Sequence, residues 1–134
     1  TGIEVVSWAK EVEARGAGEI LLTSIDNEGT GAGYDLELIK IVSENVTIPL
    51  IAHGGAATSE HIIDAIEKGG ADSVSIASIL HYSQKNYQNN LSQKFESEGN
   101  IEFLKKNSSF KMFGEENIKS IKNEIAKHGV SCRI

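Results

Sequence analysis

Residues 18–35 read GEILLTSIDNEGTGAGYD, and this stretch changes character twice. Its first part, residues 19–26, is a short apolar run rich in strand-forming residues, with a glycine before it and loop residues after it, which predicts a buried strand. The middle is a loop in which glycines stand at every second position from Gly29 to Gly33. Helical spacing of apolar residues follows Asp35, a residue type that caps helix N termini. The stretch therefore predicts a strand, a glycine loop and a helix, in that order.

The same elements recur on both sides of this stretch. An amphipathic helix is predicted over residues 3–14, and the run TIPLIAHGG at residues 47–55 predicts a second short buried strand. The run TSEHIIDAIEKGG predicts the next helix, capped by Thr58 or Ser59, and ADSVSIAS at residues 71–78 predicts a third strand. Alternation of strands and helices is typical of parallel sheets with right-handed crossovers. We therefore expect an α/β fold with about three parallel strands.

Three parallel strands leave a sheet with two open edges and one face without enough cover. Either further strands belong to the same fold, or another copy of the chain supplies the missing cover. The sequence therefore leaves open whether the chain forms a homo-oligomer.

The remainder of the chain is a polar stretch and a helix. Residues 83–114 are rich in asparagine and weakly periodic, which predicts an insertion between the last strand and the last helix, formed as an extended loop or a short helical excursion. Helical spacing returns in residues 114–129, and it predicts that Ile118, Ile121 and Ile125 lie on one face of a helix that ends at Gly129.

Composition limits the class of protein. A chain of 134 residues with 40% hydrophobic residues predicts a single domain over residues 1–134. The net charge of −6 and the lack of a Lys/Arg run argue against nucleic-acid binding. The single Cys132 cannot form an internal disulfide, and no apolar run reaches the roughly 18 residues that span a bilayer, so we expect a cytoplasmic protein without a membrane partner. There is no charged-then-apolar leader, and we expect the chain to begin inside a fold.

The glycine loop allows two alternatives to a phosphate site. Its acidic residues and Gly31 match several ligand positions of an EF-hand calcium loop, but such a loop follows a helix and not a predicted strand. The glycines also lack the G-x-G-x-x-G spacing of a dinucleotide site. His61, His81 and His128 show no metal-ligand spacing, so no metal is predicted.

A phosphate site is favoured because several loops converge. The carboxyl ends of parallel strands lie at one edge of the sheet, here called the rim, and each predicted strand ends in small residues. Glycine loops let backbone N–H groups approach an anion, and the following helix adds its positive N-terminal end. The predicted rim residues are Asp26, Gly29, His53, Gly54, Gly55, Ala77 and Ser78. That these glycines serve only tight turns stays the alternative.

Several blocks of the sequence together resemble a known protein family. The blocks RGAGEILLTSIDNEGTGAGYD, IPLIAHGGA and GADSVSIAS, with HGVSCRI at the end, closely resemble the cyclase subunit of imidazole glycerol phosphate synthase, of histidine biosynthesis. The resemblance covers about residues 1–82 and 115–134. It implies that the chain is the C-terminal part of a (βα)8 TIM barrel, incomplete as a barrel on its own.

The resemblance also implies a reaction. Ammonia from a glutaminase partner reacts with phosphoribulosyl-formimino-aminoimidazole carboxamide ribonucleotide, and the products are imidazole glycerol phosphate and aminoimidazole carboxamide ribonucleotide. The substrate carries a phosphate at each end, and no cofactor is implied. Two alternatives stay open: a non-catalytic phosphate-binding fragment that self-associates, and a related ammonia-using enzyme of nucleotide-sugar biosynthesis.

The resemblance assigns roles to individual residues. The implied phosphate-binding residues are Gly29, Gly54, Gly55, Ala77 and Ser78. Thr23, Asp26 and His53 are implied beside the substrate, and Glu19 at the opposite end of the first strand is implied in the ammonia gate. The family's two catalytic aspartates, on the first and fifth barrel strands, lie outside this chain. His53 replaces the usual serine, which changes the shape and the pH response expected of the pocket.

Overall fold

The computed structural model describes residues 2–89 and 116–132, with side chains of residues 2–83 and 116–132. Helices and strands alternate along the chain as predicted. In chain order the elements are α1 (Val5–Ala14), β1 (Ile20–Thr23), α2 (Leu36–Ser43), β2 (Leu50–His53), α3 (Ser59–Glu67), β3 (Ser73–Val74), α4 (Ser78–Asn89) and α5 (Ile118–Lys127). The predicted insertion begins inside α4, and most of it lies outside the described residues.

The three strands form one parallel sheet in the order β1-β2-β3. In register, Leu22 lies beside Ala52, and Ala52 lies beside Val74. The chain passes through a helix between each pair of strands. The predicted α/β fold with a parallel, open sheet is confirmed.

One face of the sheet carries the core. Leu50 and Ala52 of β2 are fully buried, and α2 and α3 contribute Ile39, Val42 and Ile62 to the same cluster. Helix α5 packs against α3, where Ile121 and Ile125 become buried. Ile118 lies on the same face of α5 as Ile121 and Ile125, as predicted, and is 55% exposed. Because it is the first residue of α5, it lies at the edge of the packed region.

The opposite face of the sheet is largely uncovered within the described residues. Leu21 of β1 is 58% exposed, and its strand alternates between half-buried and exposed positions. The prediction of a fully buried first strand was therefore wrong, because side chains of a strand point alternately to the two faces and only one face has helices. On α1, Trp8 is 47% exposed, whereas its neighbour Ala9 is buried.

Two predicted strands are shorter than expected because the chain turns at the rim. Strand β1 ends at Thr23, after which Ser24 donates its backbone N–H to His53 O and accepts from Glu28 N, which closes a turn. Strand β3 ends at Val74, and Ser78 already begins α4. The rim is therefore made of loops and helix starts more than of strand ends.

The predicted helix starts are confirmed where the structure describes them. The Asp35 side chain accepts from Leu38 N at 3.0 Å, and the Thr58 hydroxyl accepts from His61 N at 3.3 Å. Both caps satisfy backbone donors that a helix leaves unpaired at its first turn.

Among the described residues, none of the helices combines the length and the apolar character that a membrane span requires.

Candidate functional site

The predicted phosphate residues come together in one shallow pocket at the rim. Its walls come from the β1–α2 loop, from the turn after β2 and from the connection that leads into α4. The lining residues are Glu28, Gly29, Gly31, His53, Gly54, Gly55, Ala56, Ser75, Ile76, Ala77 and Ser78. The structure therefore brings Gly29, His53, Gly54, Gly55, Ala77 and Ser78 to one place, as the spacing of the strands predicts.

Close backbone contacts build two of these walls. Gly55 has φ +98°, and a Cβ atom placed there would lie 2.2 Å from Gly33 O. The Gly33 N–H donates to Gly55 O at 2.9 Å, and the Asn27 side-chain amide donates to Gly33 O at 3.0 Å. Only glycine permits both the positive φ and this approach. The glycine loop and the turn after β2 are thereby fixed against each other.

The start of α4 adds a positive end to the pocket. Ser78 is the first residue of this helix and lines the pocket with Ala77, whose carbonyl accepts from Leu80 N and His81 N. The first turn of α4 contains no acidic residue. Unpaired N–H groups and the helix dipole at such an end favour an anion. A negatively charged group would therefore be favoured at this wall of the pocket.

A small polar cluster lies on the other wall. His53 Nδ1 is 3.1 Å from the Thr23 hydroxyl oxygen and 3.6 Å from Glu28 Oε2. The His53 side chain is 25% exposed and that of Glu28 is 46% exposed, so both remain open to a ligand. The Glu28 carboxylate in the pocket wall is the chemical feature that the glycine pattern does not indicate.

Tyr34 fixes the wall that carries Glu28. Its ring is 6% exposed, and its hydroxyl donates to Ser75 O at 3.0 Å. Burial raises the pKa of the Tyr34 phenol well above its usual range, and the nearby Glu28 carboxylate raises it further. The phenol therefore stays protonated and holds the glycine loop to the segment after β3.

Three predicted site residues are not among those that line the pocket: Thr23, which contacts His53, and Asp26 and Glu19. Asp26 is exposed in the turn after β1 and is not among the pocket-lining residues, whereas Glu28, two positions later, is. Glu19 is exposed at the opposite end of β1 from the pocket. Glu28 is one of the acidic residues that match the calcium-loop pattern, and its position directly before Gly29 is the sequence signal for a place in the pocket wall.

The calcium alternative lacks its structural context. The loop follows β1 and not a helix, and among residues 2–89 and 116–132 no three His, Cys, Asp or Glu side chains are grouped to hold a metal ion. His61 has a structural contact, since its Nδ1 accepts from Ala57 N at 3.3 Å.

Comparison with known proteins indicates a family. Residues 1–86 match the family model described as "Histidine biosynthesis protein". The chain is 57% identical over 84 residues to the imidazole glycerol phosphate synthase subunit HisF of Trichormus variabilis, which covers 63% of this chain and 33% of the relative. It is 60% identical over 84 residues to the subunit HisF of Methanosphaera stadtmanae, and this match covers 63% of the chain and 31% of the relative. It is 52% identical over 96 residues to the subunit HisF of Microcystis aeruginosa, and this match covers 67% of the chain and 38% of the relative. The chain thus spans about a third of the length of these relatives.

Proposed function

Because the chain belongs to the histidine biosynthesis protein family, we propose that it is the C-terminal part of a cyclase subunit of imidazole glycerol phosphate synthase and supplies one phosphate-binding end of the site. The family's fold is a TIM barrel, and an open parallel sheet with helices on one face fits three of its strands. The uncovered face of the sheet, marked by exposed Leu21, would then face the barrel interior.

The rim pocket is the observation that carries this proposal. Gly29, Gly54 and Gly55 supply backbone, and Ala77 and Ser78 bring the start of α4 to the same place. These are the phosphate-binding positions that the resemblance implies. In TIM barrels the carboxyl ends of the last strands and a helix N terminus commonly bind phosphate.

The chemistry of the whole enzyme requires more than this chain. We propose that ammonia from a glutaminase partner reacts with the phosphorylated substrate, and that Glu19, at the end of β1 away from the pocket, acts on the ammonia side. Thr23 and His53 lie beside the pocket and would contact the substrate. The general acid and base would come from the barrel strands outside this chain, so the chain contributes binding and orientation.

A binding measurement tests the pocket directly. Glycerol phosphate is titrated calorimetrically into the full chain and into Ser78→Asp, which places a negative charge at the start of α4. We expect heat of binding for the unchanged chain and its loss in the variant, because two negative charges repel in the pocket. Ser131→Asp is the matched control, since Ser131 is exposed and is not among the residues that line the pocket. Equal binding by both variants would remove Ser78 from the site, and the absence of binding by the unchanged chain would refute the phosphate site.

A second candidate rests on the open sheet. Leu21 is 58% exposed on a face that the described helices do not cover, and a chain of this kind can bury such a face in a second copy. In that case the chain is a phosphate-binding module that self-associates without catalysing a reaction. Sedimentation of the full chain tests this candidate: a concentration-dependent oligomer that Leu21→Lys dissociates supports it, and a folded monomer refutes it.

A further inference from the structure

Glu28 places a carboxylate in the wall of the proposed anion pocket. It faces His53 at 3.6 Å, and the Thr23 hydroxyl approaches the same ring nitrogen, Nδ1, at 3.1 Å. A carboxylate close to a bound phosphate is repulsive unless a positive group lies between the two charges. His53 is the neighbouring side chain that can supply that charge, since imidazoles change charge between about pH 5 and 8.

Glu28 also decides which ring nitrogen carries the proton. An ionised carboxylate only accepts hydrogen bonds, whereas a hydroxyl both donates and accepts. The Thr23 hydroxyl can donate to Nδ1 or accept from it, but an unprotonated Nδ1 would turn its lone pair toward the Glu28 carboxylate at 3.6 Å, so the charge of Glu28 favours a proton on Nδ1. Nε2 then holds a lone pair and cannot donate to an anion. A second proton turns Nε2 into a donor and cancels the charge of Glu28.

We propose that Glu28 and His53 form a proton-coupled selector in the rim pocket, so that an anion binds together with one proton on His53. The inference rests on the proposed anion site and goes beyond it, because it assigns the pair a task that the glycines and α4 do not perform. Glu28 is the positioning residue, and His53 is the residue that contacts the ligand.

Other groups around the ring do not replace this pair. Glu28 is the carboxylate within 4 Å of His53 among the described residues. The wall formed by residues 75–78 contains no titratable side chain. His61, on α3, directs its Nδ1 to Ala57 N, and Tyr34 stays protonated near Glu28. Among these groups, His53 is therefore the one whose ring faces both Glu28 and the pocket.

The test uses sulfate, an anion whose charge is constant across the range, titrated into the full chain at about pH 5.5 and about pH 8, on the two sides of imidazole titration. Obligatory uptake of one proton gives an affinity change approaching tenfold per pH unit on the alkaline side, so we expect sulfate to bind at least about tenfold tighter at the lower pH. His53→Ser should bind with little dependence on pH. Glu28→Gln should bind more tightly than the unchanged chain at about pH 8 and show a smaller change with pH.

Glu37→Gln is the matched control, because it removes one exposed carboxylate from the helix that follows the same loop. The selector is refuted if His53→Ser keeps the full pH dependence, or if Glu28→Gln behaves like Glu37→Gln; in both cases the anion site itself stands. If neither the unchanged chain nor any variant binds sulfate at either pH, both the anion site and the selector are refuted.

Nitrogen chemical shifts of the His53 ring provide a readout that does not depend on ligand. At about pH 8 the free chain should show the proton on Nδ1, and Glu28→Gln should weaken that preference. A ring protonated on Nε2 in the unchanged chain would overturn the assigned role of Glu28 even if sulfate binds.

Discussion

Gly55→Ala should be strongly destabilising, because Gly55 combines two constraints. Its φ of +98° is a conformation that L side chains rarely adopt, and an added Cβ atom would lie 2.2 Å from Gly33 O and 3.0 Å from Asn27 O. Both of these are backbone atoms, so a side-chain rotation cannot relieve the overlap. The Gly33 carbonyl is also the acceptor of the Asn27 side-chain amide. The substitution therefore forces the glycine loop away from the turn after β2.

The magnitude follows from separable contributions. A left-handed conformation costs an L residue roughly 1–2 kcal/mol. Displacing Gly33 also weakens two hydrogen bonds, the one that Gly33 N donates to Gly55 O and the one from Asn27, each worth about 1 kcal/mol. We expect Gly55→Ala to lower the free energy of unfolding by about 3–4 kcal/mol. Gly16→Ala is the matched control, since Gly16 has φ +95° and nothing within 4 Å of an added Cβ atom, and it should cost only about 1–2 kcal/mol.

Urea unfolding of the full chain, followed by circular dichroism, measures both variants. With a slope of about 2 kcal/mol per molar urea, the extra 2 kcal/mol should separate their midpoints by about 1 M. Coincident midpoints for Gly55→Ala and Gly16→Ala would refute the argument, because they would show that the contact between the two loops costs nothing to displace.

Two further variants test the supports of the rim. Tyr34→Phe removes the hydrogen bond to Ser75 O and should lower the free energy of unfolding by about 1–2 kcal/mol in urea at neutral pH. Since the folded state raises the pKa of the Tyr34 phenol, its contribution is complete below about pH 10 and is lost as the pH rises further, so the unchanged chain should lose more stability than the variant between pH 8 and pH 11. Glu116→Gln weakens the hydrogen bond that the Ser59 hydroxyl donates at the start of α3, and it should lower the free energy of unfolding in urea by about 1 kcal/mol. Glu60→Gln is the control, because Glu60 is an exposed carboxylate in the first turn of the same helix. An equal effect of the two substitutions would contradict the role of Glu116.

Much of the fold could be predicted from the sequence. Helical spacing, the caps Asp35 and Thr58 and the three apolar runs predicted the element order and a parallel sheet, and the structure confirms them. Parallel topology also predicted that the turns after β1, β2 and β3 would meet. Topology alone therefore predicted that Gly29, Gly55 and Ser78 would lie at one rim, and in the structure they line one pocket there.

Local direction was harder to predict than topology. The run ADSVSIAS at residues 71–78 predicts a strand, yet only Ser73–Val74 pair in the sheet, because Ser78 already begins a helix. Burial of Leu21 depends on what packs against the second face of the sheet, and the sequence of one chain does not contain that information. The choice between Asp26 and Glu28 depends on the path of a turn, and two residues of a turn point in different directions without any change in sequence pattern.

The central claim, that this chain is the phosphate-binding part of a cyclase, is tested most directly by conversion of substrate. The chain is joined to the portion of the Methanosphaera stadtmanae HisF subunit that it does not match, and the hybrid is assayed with phosphoribulosyl-formimino-aminoimidazole carboxamide ribonucleotide and ammonium salt. The account predicts ammonium-dependent formation of imidazole glycerol phosphate, which Ser78→Asp in the hybrid lowers and Ser131→Asp leaves unchanged. A folded hybrid that binds the substrate and forms no imidazole glycerol phosphate would contradict it.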